Sequence, residues 1–157
     1  MLKINVVAVG KVKEKYFQEA INEYLKRLSR FAEVKIIEVK EENFTKDSEE
    51  LRKETLKKEE ENILPYLKGY VIVLAIEGKQ FTSESLSKKI DDLTVAGVSE
   101  ITFVIGGSYG LTEEIKRKAD LKFSFSLMTF PHTLARVILL EQLYRGFMIK
   151  VGSTYHK

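Results

Sequence analysis

Hydrophobic positions along the chain recur with two periods, one of strands and one of helices. Val6 to Val9 close an apolar run that stops at Gly10, the pattern of a strand entering a loop. Phe17, Ala20, Ile21, Tyr24, Leu25, Leu28 and Phe31 follow at three- and four-residue spacing, which predicts an amphipathic helix. EVKIIEV (33–39) is β-branched and strand-like. Asp47 with Glu50 has the form of a capping box for a helix toward Leu64, whose Glu/Lys-rich sequence predicts a solvated outer helix. YVIVLAI (70–76) and ITFVI (101–105) are nearly continuous apolar runs, as in strands covered on both faces of a parallel sheet. Thr82 or Ser83 can cap the helix between them, with Leu86, Ile90 and Leu93 inward. Thr112 can cap a short helix whose Glu113 and Glu114 suit its positive end. LKFSFSL (121–127) alternates as a strand. The final helix, His132 to Ile149, is apolar on more than one face, which predicts burial against something beyond its own sheet.

Five strands interleaved with helices define an α/β fold, a three-layer sandwich with a mostly parallel sheet, as one domain over residues 1–157. Pro65 and Pro131 fall at segment boundaries, and no repeat or linker interrupts the chain. At 157 residues, with 44% hydrophobic and 31% charged residues, the sequence can bury a real core. The absence of cysteine excludes disulfides, thiolate metal sites and cysteine nucleophiles. MLKINVVAVG lacks the basic region and long apolar stretch of a signal peptide, and no segment has the apolar length of a membrane span. A cytoplasmic protein with no membrane contact is expected. Net charge is only +3 but unevenly spread: residues 1–31 hold seven Lys/Arg against three acids, and residues 132–157 hold four against one. Two basic ends around an acidic middle suit an anionic partner without requiring one.

Ligands of open parallel sheets bind beyond the carboxyl ends of strands. Three such ends are unusual: Ala75-Ile76-Glu77-Gly78, Ile105-Gly106-Gly107-Ser108, and Leu127-Met128-Thr129-Phe130-Pro131-His132. Their glycines let a ligand approach backbone, or simply make tight turns. IGGSYG lacks the Lys-Ser/Thr of a P-loop and follows the fourth strand, so it is not a Rossmann fingerprint either. The only histidines, His132 and His156, lie far apart without a carboxylate at ligand spacing, so no metal site is expected. No G-x-S-x-G nucleophile elbow exists. Two polar clusters remain. Arg136, Glu141, Gln142 and Arg145 lie on the apolar final helix and need partners, structural or functional. Ser153 to Lys157 end the chain, where disorder is the ordinary expectation.

AVGKVKEKY, VLAIEGK, FVIGGSYGL, SFSLMTFPH, RVILLEQLYR and the terminal YHK resemble, in order and spacing, the RlmH (YbeA-type) family of SPOUT-class ribosomal RNA large subunit methyltransferases. The resemblance runs from Val7 to Lys157. It implies a homodimer with a C-terminal trefoil knot, a threading that general topology rules would not propose. It implies S-adenosylmethionine as cofactor and methylation of N3 of a pseudouridine in 23S ribosomal RNA, on the assembled ribosome. The implied cofactor residues are Leu74, Gly106 and Phe125, Ser126, Leu127, Met128, Thr129 and Phe130.

Methyl transfer from a sulfonium needs alignment of donor and acceptor rather than a metal, and loss of the acceptor's proton must be assisted. His132, Arg136, Tyr155 and His156 are the candidates for catalytic roles, as base or as support for a developing anion, with Arg145 beside them. Leu134, Val137, Ile138, Leu140, Leu143 and Phe147 suggest a dimer seam along the final helix. Lys11, Lys13 and Lys15 are candidate RNA-backbone contacts. Two other readings fit parts of the pattern: a non-catalytic ribosome- or RNA-binding α/β protein, and an α/β enzyme for a different nucleotide.

Overall fold

The computed structural model describes residues 1–42 and 48–157. In chain order the elements are β1 (Leu2–Val9), α1 (Lys15–Leu28), β2 (Ala32–Val39), α2 (Glu49–Ile63), β3 (Tyr70–Gln80), α3 (Ser83–Val95), β4 (Glu100–Ile105), α4 (Glu113–Lys118), β5 (Leu121–Ser124) and α5 (His132–Lys150). The strands form one sheet in the order β2-β1-β4-β3-β5, and each neighbouring pair is parallel.

The continuous apolar runs have the physical basis expected of them. Successive strand residues point to opposite faces, and both faces are covered. Ile4, Val6 and Ala8 of β1, Ile72 of β3 and Ile101, Phe103 and Ile105 of β4 pack with Ile21 and Leu28 of α1, Leu86, Ile90 and Leu93 of α3, and Leu139, Leu140 and Leu143 of α5. The alternate residues Val7, Val9, Val71, Val73 and Val104 pack with Ile63 of α2 and Ile115 of α4. The result is a sandwich of three layers.

Caps set the helix starts. Thr82, not Ser83, caps α3: its hydroxyl accepts from the Ser85 N–H at 2.9 Å while the Ser85 hydroxyl accepts from the Thr82 N–H at 2.8 Å. Thr112 caps α4 by accepting from the Ile115 N–H at 3.2 Å. Ser48 caps α2, accepting from the Leu51 N–H at 3.2 Å, whereas Asp47 lies outside the described residues. The α2 helix is not wholly solvated, since Thr55, Glu59, Glu60 and Ile63 are buried.

Three other elements depart from the sequence reading. α1 ends at Leu28, and Phe31 lies beyond it, its ring stacked on Phe147 of α5 at 5.4 Å; the periodicity continues because the turn residue joins the same apolar seam. β3 runs on to Gln80 through an irregularity in which both Leu74 and Lys79 register with Phe123, so residues 75–78 arch out of the sheet. A Cβ on Gly78 would stand 2.7 Å from the Phe123 nitrogen, which is why glycine closes that arch. β5 stops at Ser124, and Phe125 to Leu127 leave the sheet as loop.

The all-round apolarity of α5 has a source within the chain: it lies between α1 and α3, and no residue of 132–149 is fully exposed. Ser83 donates to Gln142 at 2.6 Å and Ser87 to the Gly146 carbonyl at 2.6 Å, fastening α3 to α5. Leu140 and Leu143 are 0% exposed and belong to this chain's own core, so they are unavailable for a dimer seam. Leu134, Val137, Ile138 and Phe147 are half-buried.

Candidate cofactor pocket and the C-terminal tail

A cavity of ≈ 1060 Å³ opens at the carboxyl ends of β3, β4 and β5, where the topology of an open parallel sheet places ligands. Its walls are the β3 arch, the Gly106–Leu111 loop after β4, the segment from Phe123 to the start of α5, and Arg52 and Leu56 of α2. Leu74, Gly106, Phe125, Ser126, Met128, Thr129 and Phe130 all line it. Leu127 does not; it is 78% exposed, because the alternation expected for a strand ends with β5.

The loop after β5 is held by aromatic edges and short polar links. Phe125 meets Phe123 edge-on at 5.2 Å and Phe130 at 6.5 Å. Ser124 donates to the Ser126 carbonyl at 2.9 Å, and the Ser126 hydroxyl accepts from the Met128 N–H at 3.1 Å. The loop after β4 folds on itself, so that a Cβ on Gly106 would lie 2.6 Å from the Gly110 carbonyl oxygen. Glycine at 106 is therefore required first by the loop's own backbone. Across the cavity Lys116 pairs with Glu77 at 2.7 Å, and that hydrogen bond holds Glu77 below its ordinary range.

His132 lines the cavity at the start of α5, with its Nδ1 buried and unpartnered among the described residues. Arg136, one turn further, is turned away into the protein: it is 2% exposed, pairs with Glu38 at 2.7 Å and donates to the Gly10 carbonyl at 3.3 Å. It ties α5 to the ends of β1 and β2 and does not line the cavity. Beside this corner lies a carboxylate that the sequence reading missed. Glu59 of α2 is 4% exposed and accepts from the Glu42 N–H at 3.1 Å. Burial lifts it to about 7, with Glu41 and Glu42 adding to the rise against that one hydrogen bond.

Tyr155 and His156 are packed rather than loose. Tyr155 meets Tyr144 edge-on at 4.8 Å under the Arg145 guanidinium at 4.9 Å; burial, then Glu141, raises its hydroxyl above the ordinary range, which disfavours it as a base. Arg145 can only donate, so its 3.1 Å contact makes His156 Nδ1 the acceptor and leaves Nε2–H to donate to Glu84 at 2.5 Å. Arg145 also holds Glu141 at 2.7 Å. The tail thus lies against the C-terminal half of α5, with His156 beside Arg145. The rise from His132 to Arg145 along the helix is about 20 Å. One chain does not bring the tail to its own cavity. Lys11 and Lys13, which follow β1, and Lys15, which opens α1, are exposed.

A wholly parallel α/β sandwich with a strand-end cavity and a long helix leaving it defines a class, and comparison with known proteins gives the class its name. The family profile described as "Predicted SPOUT methyltransferase" matches residues 2–156. The ribosomal RNA large subunit methyltransferase H of Streptococcus gordonii is 52% identical over 159 residues, covering 99% of this chain and 100% of that one. Its counterpart in Leuconostoc citreum is 50% identical with the same coverage. The chain belongs to the ribosomal RNA large subunit methyltransferase H (RlmH) family of SPOUT methyltransferases. Among solved structures, a methylase family protein of Haemophilus influenzae matches with a TM-score of 0.54 at 13% identity, over 99% of this chain and 70% of that one. A Legionella pneumophila protein in complex with bound SAM matches at 0.51 and 14%, over 90% and 65%. At these identities the likeness is one of fold. Among the described residues no helix is long and apolar enough to cross a membrane, and no group of three or more His, Cys, Asp and Glu is arranged to hold a metal.

Proposed function

We propose that this protein is an S-adenosylmethionine-dependent methyltransferase that modifies N3 of a pseudouridine in 23S ribosomal RNA, on the ribosome and in the cytoplasm, as a homodimer. The observation that carries the reading is the strand-end cavity, with Leu74, Gly106, Phe125, Met128 and Phe130 on its walls, in a chain of the RlmH family. Apolar and aromatic walls suit an adenine face, and the irregular backbone of two loops offers N–H and C=O groups to its edge. When bound, S-adenosylmethionine supplies an electrophilic methyl group on a sulfonium.

The chain's own residues have the remaining tasks. His132, on the cavity wall, is the imidazole to which we assign the proton that N3 loses; its Nδ1 is buried with no partner among the described residues. Arg136, through Glu38 and Gly10, positions the first turn of α5 and hence His132. The tail must come from a second copy if it is to reach the acceptor base, and half-buried Val137, Ile138 and Phe147 leave α5 a surface for that copy. The C-terminal knot that the family resemblance implies belongs to the same reading.

Calorimetry with S-adenosylmethionine, S-adenosylhomocysteine and common nucleotides tests the cofactor. Binding of the first two without RNA is expected; no binding points to the non-catalytic RNA-binding protein, and preference for another nucleotide to a different enzyme. Sedimentation at micromolar concentration should give a dimer. A truncation ending at Thr154 should bind cofactor normally and methylate ribosomes on the order of a hundredfold more slowly. Mixed with a His132→Ala chain, it should recover activity if the tail works across the dimer. A monomer, or a truncated chain of normal rate, overturns the tail's role.

A further inference from the structure

The outer wall of the cavity has a different character from its floor. The floor consists of strand ends, glycine and phenylalanine; the rim toward α2 consists of Tyr109, Arg52 and Leu56. Tyr109 stands at the tip of the loop after β4, which is closed by an antiparallel bridge between Gly107 and Gly110 and by the Gly110 N–H donating to the Gly107 carbonyl at 3.1 Å. Gly110 has φ +79°, a left-handed conformation that glycine accepts without strain. The turn therefore holds Ser108 and Tyr109 out at the mouth of the cavity. Tyr109 is 45% exposed, an aromatic residue left open at the surface. The Arg52 guanidinium lies 5.3 Å from the ring centroid, in the geometry of a cation–π pair.

An exposed aromatic ring with a guanidinium against it is a surface on which unpaired RNA bases stack, the positive charge favouring the phosphates of the strand. The geometry points to a nucleotide subsite on Tyr109 and Arg52, which stacks an unpaired base next to the methylated one in the substrate RNA. The inference rests on the RNA-methyltransferase reading and adds the residues that hold the strand. Stacking of this kind tolerates any base, so the subsite contributes grip and alignment rather than sequence choice.

The test compares wild type with Tyr109→Ala, Tyr109→Phe and Arg52→Gln in methyl transfer to ribosomes, with cofactor affinity measured by calorimetry. Tyr109→Ala should raise KM for ribosomes about tenfold to a hundredfold, with kcat and cofactor affinity near wild type. Tyr109→Phe should retain most of the wild-type KM, because the ring is what stacks. Arg52→Gln should raise KM less and flatten its dependence on salt. A wild-type KM in Tyr109→Ala overturns the subsite, and so does a loss confined to cofactor affinity, which would assign the ring to the cofactor. Titration of a single-stranded oligouridylate, read by anisotropy, separates this inference from the reading beneath it. Weaker binding by Tyr109→Ala supports the subsite even if wild type methylates no ribosome; equal binding overturns it even if wild type methylates them.

Discussion

On one side of the sheet, three helices lay Leu28, Leu86, Ile90, Leu139, Leu140 and Leu143 onto the strand residues, and the polar groups buried on these helices are Ser87 of α3 and Arg136 of α5. On the other, Val7, Val9, Val73 and Val104 meet Ile63 and Ile115, and buried Thr55, Glu59 and Glu60 lie on the same helix as Ile63. The first side holds the fold together. The second is thinner and buries two carboxylates on α2, and it supplies the cavity rim through Arg52, Leu56 and the loop after β4. The cavity draws its walls from both sides, Leu74, Phe123, Phe125 and Ala135 from the first and Leu111 with the α2 rim from the second. A buried carboxylate is tolerated where less hydrophobic area depends on its surroundings.

Large-to-small substitutions should show the contrast between the two sides most strongly. Leu139→Ala, at a position 0% exposed in the thick layer, should lower unfolding free energy in urea by about 2–5 kcal/mol. Ile115→Ala, also 0% exposed but on the six-residue α4, should fall at the low end of that range because its surroundings can close in. Equal losses would erase the contrast.

Glu59 comes next. Its folded-state value of about 7 lies above the ordinary 4.5, so the folded chain binds a proton that the unfolded chain releases. Its stabilising contribution is complete below about 4.5 and is lost as pH rises through 7. Glu59→Gln keeps an acceptor for the Glu42 N–H and removes the titration. Relative to wild type it should gain on the order of 1–3 kcal/mol between pH 5 and pH 8, measured by urea unfolding at both. Parallel pH profiles for the two proteins would show that the carboxylate is not held in this state.

Gly106→Ala should act on the loop rather than the fold. The new Cβ meets the Gly110 carbonyl, so cofactor affinity should fall at least tenfold, equivalent to about 1.4 kcal/mol, while the urea midpoint stays close to wild type. Unchanged affinity would detach the loop from the pocket. The smallest effect belongs to the exposed Lys88–Asp92 pair: Lys88→Ala should leave the urea midpoint where it is, and a clear shift would mean the thick layer leans on its surface charges.

The strands were legible because burial on both faces leaves an unbroken apolar run, and Thr82 and Thr112 declared their helices through the chemistry of a cap. The strand-end loops were legible from glycine and topology together, and they wall the cavity. What stayed hidden depended on partners distant in sequence. A Glu/Lys-rich helix reads the same whether Glu59 faces water or the Glu42 backbone, so the rim that α2 supplies was invisible. Gly78-Lys79 reads as a turn, and only Phe123 of the neighbouring strand reveals that β3 resumes beyond it. Arg136 could be read as a catalytic cation or as a strut; Glu38 and Gly10, 98 and 126 residues back in the chain, assign it as a strut. The packing of the tail was hidden because Arg145 and Glu84, which hold His156, lie on separate helices.

The length of α5 has one last consequence. Because the helix starts at the cavity wall and the tail folds back on its far half, the helix is a ruler with an angular scale. Inserting one residue between His132 and Arg145 would advance everything beyond it by about 1.5 Å and swing it about 100° around the axis, carrying Arg145 off Glu84's side of the helix. Deletions do the same in reverse, and only changes near whole turns restore the bearing. Drift in the length of this segment is therefore quantised, while the surface loops elsewhere can lengthen residue by residue.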